Sequence, residues 1–152
     1  MARPPAEAGA AGRVLAAEVA RLRASRPGTA PRVLDVGGGS GAWAVPLAAL
    51  GCAVTVVDSS PNALAALQRR ARDAGVHDLV RAVQGDADAL GDVVPAGSAD
   101  LVLGHGLLEI VDDPARSIAA LTEAADAGAA VSVLTAGRYA AVLSRMLAGR
   151  LA

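Results

Sequence analysis

The chain is predicted to be an α/β domain built on one doubly wound parallel sheet. Three observations predict it. "RVLDV", Arg32–Val36, is a short apolar run that passes straight into "GGGSG", a strand-to-helix turn rich in backbone freedom. "AVTVVD", Ala53–Asp58, is continuous and β-branched, as a strand buried on both faces should be. Helical patterns lie between successive strand-like runs, and that alternation is the signature of parallel strands joined by crossover helices.

Each element follows in order. Residues 1–12 are rich in Pro, Gly and Ala and are expected to form a loose tail. From Arg13 to Ser25, Val14, Leu15, Val19 and Leu22 recur at helical spacing among charges. Pro27, Gly28 and Pro31 then break the chain before the first strand. Trp43 to Leu50 reads as a helix with Gly51 as its stop. Ser60-Pro61 opens the next helix, a serine cap with proline in the first turn, and Gly75 closes it. "LVRAVQGD" and "SADLVLGHG" are the third and fourth strands. Asp113-Pro114 starts a helix expected to end near Gly128, "AAVSVLT" is the fifth strand, and the tail from Arg138 looks helical. No repeat or linker divides the chain, so residues 13–152 are taken as a single domain. The predicted architecture is a Rossmann-like open parallel sheet wrapped by helices.

Composition narrows the function. The 152 residues carry a net charge of −1 with no lysine, so no overall basic field marks a nucleic-acid binder. A single cysteine, Cys52, excludes an internal disulfide and fits a reducing, cytoplasmic setting. "MARPPAEAGAAGR" has no apolar signal core, so export is not expected. The apolar run Ala42–Val57 is short for a bilayer and is interrupted by Pro46 and Gly51.

The glycine loop is where a ligand would sit, beyond the carboxyl end of the first strand. No Gly-Lys-Ser/Thr closes it, which argues against a nucleoside triphosphate. Gly37, Gly39 and Ala42 do fit the dinucleotide spacing G-x-G-x-x-A, so NAD is a rival ligand. Asp58 ends the second strand, 23 residues after Asp35, where a carboxylate can accept both hydroxyls of a ribose. The alternative is that Asp58 caps the next helix, a role open to Ser60 as well.

"QGDADAL" places Asp86 and Ala87 just past the third strand, and "DLVLGHGLLEIVDDP" brings His105 to the end of the fourth. With these segments the chain resembles the class I S-adenosylmethionine-dependent methyltransferases. "VLDVGGGSG" matches the first motif, Asp58 the second, Asp86-Ala87 the adenine contact, and "HGLLEIVDDP" looks most like the branch of bacterial tRNA carboxymethoxyuridine methyltransferases. The resemblance spans about Arg13 to Thr135 and implies a methyltransferase that uses S-adenosylmethionine on a small-molecule or tRNA acceptor. A non-catalytic adenosyl- or NAD-binding module acting through a partner is the alternative.

The resemblance also implies roles. Asp35 would anchor the loop and approach the methionine end of the cofactor. Gly37, Gly38 and Gly39 would give backbone contacts to methionine and ribose. Asp58 would hold the ribose hydroxyls, and Ser59 would lie along the adenine. Asp86 would accept from the adenine amine, and the Ala87 N–H would donate to a ring nitrogen. His105 would flank the methionine or the acceptor. Arg13 would pair with the methionine carboxylate, or is an ordinary exposed helix arginine. No catalytic base is assigned, His105 being the one candidate, and no metal is expected. Trp43 is expected to pack in the core, Cys52 to be a small buried apolar group, and His77 to be solvated. Glu109 either faces the site or is structural. Arg69, Arg70 and Arg72 read as the wet face of a helix. The resemblance implies the strand order 3-2-1-4-5, and proteins of this family add two antiparallel strands at the sheet edge. Their lack here implies a truncated domain, or a fifth-strand edge covered by the tail, a second copy or a partner chain.

Overall fold

In the computed structural model, which describes residues 9–137, the first strand β1 (Arg32–Val36) is buried from Val33 onward. It owes that burial to a neighbour on each side. β2 (Ala53–Asp58) pairs with it in parallel, Val33 opposite Val54 through Val36 opposite Val57. β4 (Ala99–His105) pairs in parallel on its other side. β3 (Val80–Gln84) flanks β2 and β5 (Ala125–Leu134) flanks β4, giving the predicted order β3-β2-β1-β4-β5.

Alternate residues of each strand face opposite sides of the sheet, so continuous apolar strands supply two cores. On one side Val33, Val54, Val56, Leu101 and Leu103 meet α1 (Gly9–Ser25), α2 (Ala44–Ala49) and α3 (Pro61–Asp73). On the other, Leu34, Val36, Val57 and Val102 meet Leu121 and Ala124 of α4 (Pro114–Ala124). Cys52 is fully buried in the first core, as expected, and burial pushes its thiol up to about 11 despite the opposing charge of Arg23.

The caps are those the sequence shows. The Ser60 hydroxyl accepts from Ala63 N at 3.2 Å, and Asp113 Oδ1 accepts from Arg116 N at 3.0 Å. Two boundaries and one burial differ. α1 begins at Gly9, not Arg13, because Gly12 is itself part of its buried face. Val14 is 65% exposed, since the stripe that meets the sheet is Leu15, Val19 and Leu22. α4 ends at Ala124 rather than near Gly128: Ala125 already pairs with Ala99, and a register shift then sets Leu101 opposite Ala130. The expected tail helix from Arg138 and residues 1–8 lie outside the described residues.

At the starting ends of the strands an ion cluster ties α1 to the sheet. Asp100, 4% exposed, accepts from Arg26 Nη1 at 2.8 Å, from Arg32 Nη2 at 2.7 Å and from Arg32 N at 2.8 Å. Arg32 also reaches Asp126 at 2.8 Å. No helix among the described residues is long and apolar enough to cross a membrane.

Candidate functional site

Parallel strands all end on the same rim, so whatever follows each strand there converges. After β1 the chain turns over the end of β2, where Gly37 N donates to Val57 O at 2.7 Å. Gly38 then lies against the Asp35 side chain. A Cβ at Gly38 would fall 2.4 Å from Asp35 Oδ2 and 2.9 Å from Val56 Cγ1, so glycine is required by close approach. Asp35 is thus sealed beneath the loop, 1% exposed, with Oδ2 lacking a hydrogen-bond partner. Burial, and secondarily the charge of Asp58, pushes its carboxyl up to about 7.

Asp58 holds the loop and α3 together. Its Oδ2 accepts from Gly39 N at 2.9 Å and its Oδ1 from Ser60 N at 2.8 Å. Ser60, not Asp58, is the cap of α3. After β3, Asp86 starts a short 3-10 turn, Ala87–Asp92, and its Oδ1 accepts from Asp88 N at 3.1 Å.

These segments enclose a cleft of about 290 Å³. Of the residues expected in the site, Gly37, Asp58, Ser59, Asp86 and Ala87 line it. Asp35, Gly38, Gly39, His105 and Arg13 do not. Asp35 and Gly38 lie below its floor as described, and Gly39 supports Asp58. Arg13 is exposed on α1. His105 lies against Trp43 instead, edge to face with ring centroids 5.0 Å apart. Its Nε2 bonds the Ser132 hydroxyl at 2.9 Å, its buried Nδ1 has no partner among the described residues, and burial lowers its pKa.

Sequence reasoning missed the wall opposite Asp58, formed by Leu107, Ile110, Val111 and Asp112 of the loop after β4, together with Asp88. Ile110 is 77% exposed, an apolar side chain at the lip of a polar cleft. The signal available was position alone, since this loop follows a strand that ends on the same rim. Glu109 does not line the cleft; its Oε1 accepts from Ala136 N at 2.5 Å. Four carboxylates, those of Asp58, Asp86, Asp88 and Asp112, line the cleft, and among the described residues no basic side chain does. Such a site favours a ligand that donates hydrogen bonds or carries positive charge. Among the described residues no cluster of three or more His, Cys, Asp or Glu is placed to hold a metal ion.

A glycine-turned loop, a carboxylate at the end of β2 and an acidic turn after β3, set on a 3-2-1-4-5 parallel sheet, define a nucleoside-binding α/β domain. Residues 33–128 match the family model described as a methyltransferase domain, well over half of the chain, and the chain belongs to that family. Over 118 residues it is 29% identical to the tRNA 5-carboxymethoxyuridine methyltransferase of Escherichia coli K12, an alignment covering 78% of this chain and 45% of that one. Over 107 residues it is 34% identical to the ubiquinone biosynthesis O-methyltransferase of Methylococcus capsulatus, covering 70% and 44%. A crystal structure of an S-adenosylmethionine-dependent methyltransferase from Thiobacillus denitrificans, in complex with S-adenosyl-L-homocysteine, is 28% identical with a TM-score of 0.61, covering 77% of this chain and 47% of that one. The chain therefore spans less than half the length of the curated relatives it matches.

Proposed function

We propose that the cleft binds S-adenosylmethionine and that the domain serves methyl transfer to a small molecule or a tRNA nucleotide. The observation that carries this reading is the chemistry of the cleft lining, four carboxylates and, among the described residues, no basic side chain. NAD would bring a pyrophosphate into that field, whereas S-adenosylmethionine brings a sulfonium and an ammonium. The residues fit the cofactor. Each Asp58 oxygen has one described backbone donor, and a carboxylate oxygen has a second lone pair with which to accept a ribose hydroxyl. Asp86 retains Oδ2 for an amine donor, and the apolar wall of Leu107, Ile110 and Val111 suits the face of a purine. Asp35 offers an unpartnered buried oxygen under the loop.

When bound, the cofactor supplies a methyl group on a positively charged sulfur, already activated for in-line displacement. The chain's own task is alignment and exclusion of water. The glycine loop brings bare peptide groups to the ligand, and Leu107 and Val111 close the cleft from the β4 side. Arg13, exposed on α1 and outside the cleft lining, is a candidate partner for the methionine carboxylate or an ordinary helix arginine. A base is needed only for an acceptor that must lose a proton. No base is assigned to that task; His105, outside the cleft lining, is the one candidate. A cytoplasmic setting accompanies this reading, since Cys52 is the sole cysteine.

Calorimetric titration of the chain with S-adenosylhomocysteine and with NAD tests the proposal. Micromolar binding of the first is expected, and binding of NAD alone would overturn it. Asp58→Ala should weaken S-adenosylhomocysteine binding by about ten-fold or more, the loss of hydrogen bonds to a charged acceptor. Unchanged affinity defeats the ribose assignment. A labelled methyl-transfer screen against tRNA and small metabolites then identifies the acceptor.

A further inference from the structure

α3 touches the glycine loop at several points, and one of them involves a residue that sequence assigns to solvent. Leu67, 0% exposed, lies so close under Gly41 that a Cβ there would fall 2.3 Å from Leu67 Cδ1. One turn further along the helix, Arg70 reaches over the loop. Its Nη1 donates to Ser40 O at 3.2 Å and lies 3.3 Å from the Ser40 hydroxyl. At the start of the helix, Asp58 joins Gly39 N to Ser60 N. Among the described side chains, Arg70 is the one that donates to Ser40.

We propose that Arg70 is a positioning residue for the cofactor cleft, acting through Ser40. The argument is one of entropy. A Gly-Gly-Gly-Ser-Gly run has many accessible backbone states, and each must be given up for the loop to present its peptide groups in one arrangement. Asp58 fixes the loop at Gly39, and Leu67 packs it at Gly41. Ser40, between them, has its carbonyl and hydroxyl held by the guanidinium. Arg70 is not part of the cleft lining, so it orders the loop without competing for the ligand. A cationic donor to a backbone carbonyl is a charge-assisted bond, stronger than a neutral one. The inference rests on the assignment of the cleft to S-adenosylmethionine.

Trp43, the only tryptophan, follows the loop directly and reports on it. Acrylamide quenching of Trp43 in the unliganded chain, S-adenosylhomocysteine affinity and the melting temperature are measured for R70A, R70K and R69A. Arg69 is exposed on the same helix and serves as the charge control. R70A is expected to raise the quenching and weaken binding by about ten-fold, the worth of one hydrogen bond to a charged group. R70K should recover most of both changes, R69A should resemble the wild type, and all should melt alike. Wild-type affinity in R70A overturns the proposal, with or without a change in quenching. So does an equal loss in R69A, or a loss in R70A that only follows a lower melting temperature. If the wild type itself does not bind S-adenosylhomocysteine, the cofactor assignment fails, and the quenching comparison alone decides whether Arg70 holds the loop.

Discussion

Asp35 sits where a carboxylate is poorly tolerated, beneath Gly38, with Oδ2 unpartnered and Asp58 close by. Its folded pKa of about 7 lies above the ordinary 3.8, so the folded chain keeps a proton that the unfolded chain releases. Below about pH 4 both states are protonated and the group contributes nothing; as pH rises from about 4 to about 7 it progressively destabilises the fold. Asp35→Asn should therefore melt above the wild type at neutral pH, by about 2–4 kcal/mol, with the gap closing toward about pH 4. Melts across that range check it, and a gap independent of pH would acquit Asp35. Among the described residues it is the most deeply buried acid, and it lies under the loop of the cleft. At this scale Asp58 and Asp86 were legible because each directly follows a strand-like run. Asp88 and Asp112 were not, since nothing in their own neighbourhood shows which way a loop folds. Arg70 was read as solvated because periodicity reveals only that it is off the buried stripe, not what its long side chain reaches.

Ser60 marks the element scale. Its hydroxyl caps α3, the helix that joins the Asp58 end of β2 to the glycine loop. Ser60→Ala should cost about 1 kcal/mol of stability, as cap removal does. Binding should change little, because the contact to Asp58 comes from Ser60 N, which alanine keeps. Thermal melts and calorimetry together separate the two effects. α3 was legible at both ends because its signals are local, with serine and proline at the start and glycine at the stop. The boundary between α4 and β5 was not. "TEAADAGAAV" is alanine-rich and suits a helix, and pairing of Ala125 with Ala99 decides where the helix gives way to strand. The start of α1 was placed late for a related reason: Gly12 reads as a breaker in sequence and is a point of close packing in the fold.

The molecule as a whole is held at the rim opposite the cleft by the cluster around Asp100. Hydrogen bonds from Arg32, with the charge of Arg26, hold the Asp100 carboxyl down to about 2. Its stabilising contribution is complete above the ordinary value of 3.8 and is lost as pH falls through about 2. The arginines are 51% and 44% exposed, so screening reduces what the pairs are worth. Asp100→Asn should lower stability at neutral pH by about 1–2 kcal/mol after that discount, with the difference vanishing in strong acid. Denaturant titrations at neutral pH and in acid check it. Cleft and cluster occupy opposite rims, so this variant should bind S-adenosylhomocysteine as the wild type does. The partners in this cluster lie 68, 74 and 94 residues apart in the chain, and no local pattern announces them.

From the order of residues alone came the α/β class, the strand order, the glycine turn after β1, the α3 and α4 caps, and the acids that end β2 and follow β3. All of these except the strand order, which came from the family resemblance, depend on residues within a turn or so of one another, where capping and hydrophobic period are written directly into the sequence. Tertiary structure decided which loops face each other: the β4 loop as the far wall of the cleft, His105 turned to Trp43 and Ser132, and Arg70 laid over Ser40. Those contacts are set by sheet register and by the seating of helices on the sheet, quantities that emerge only when distant segments pack together.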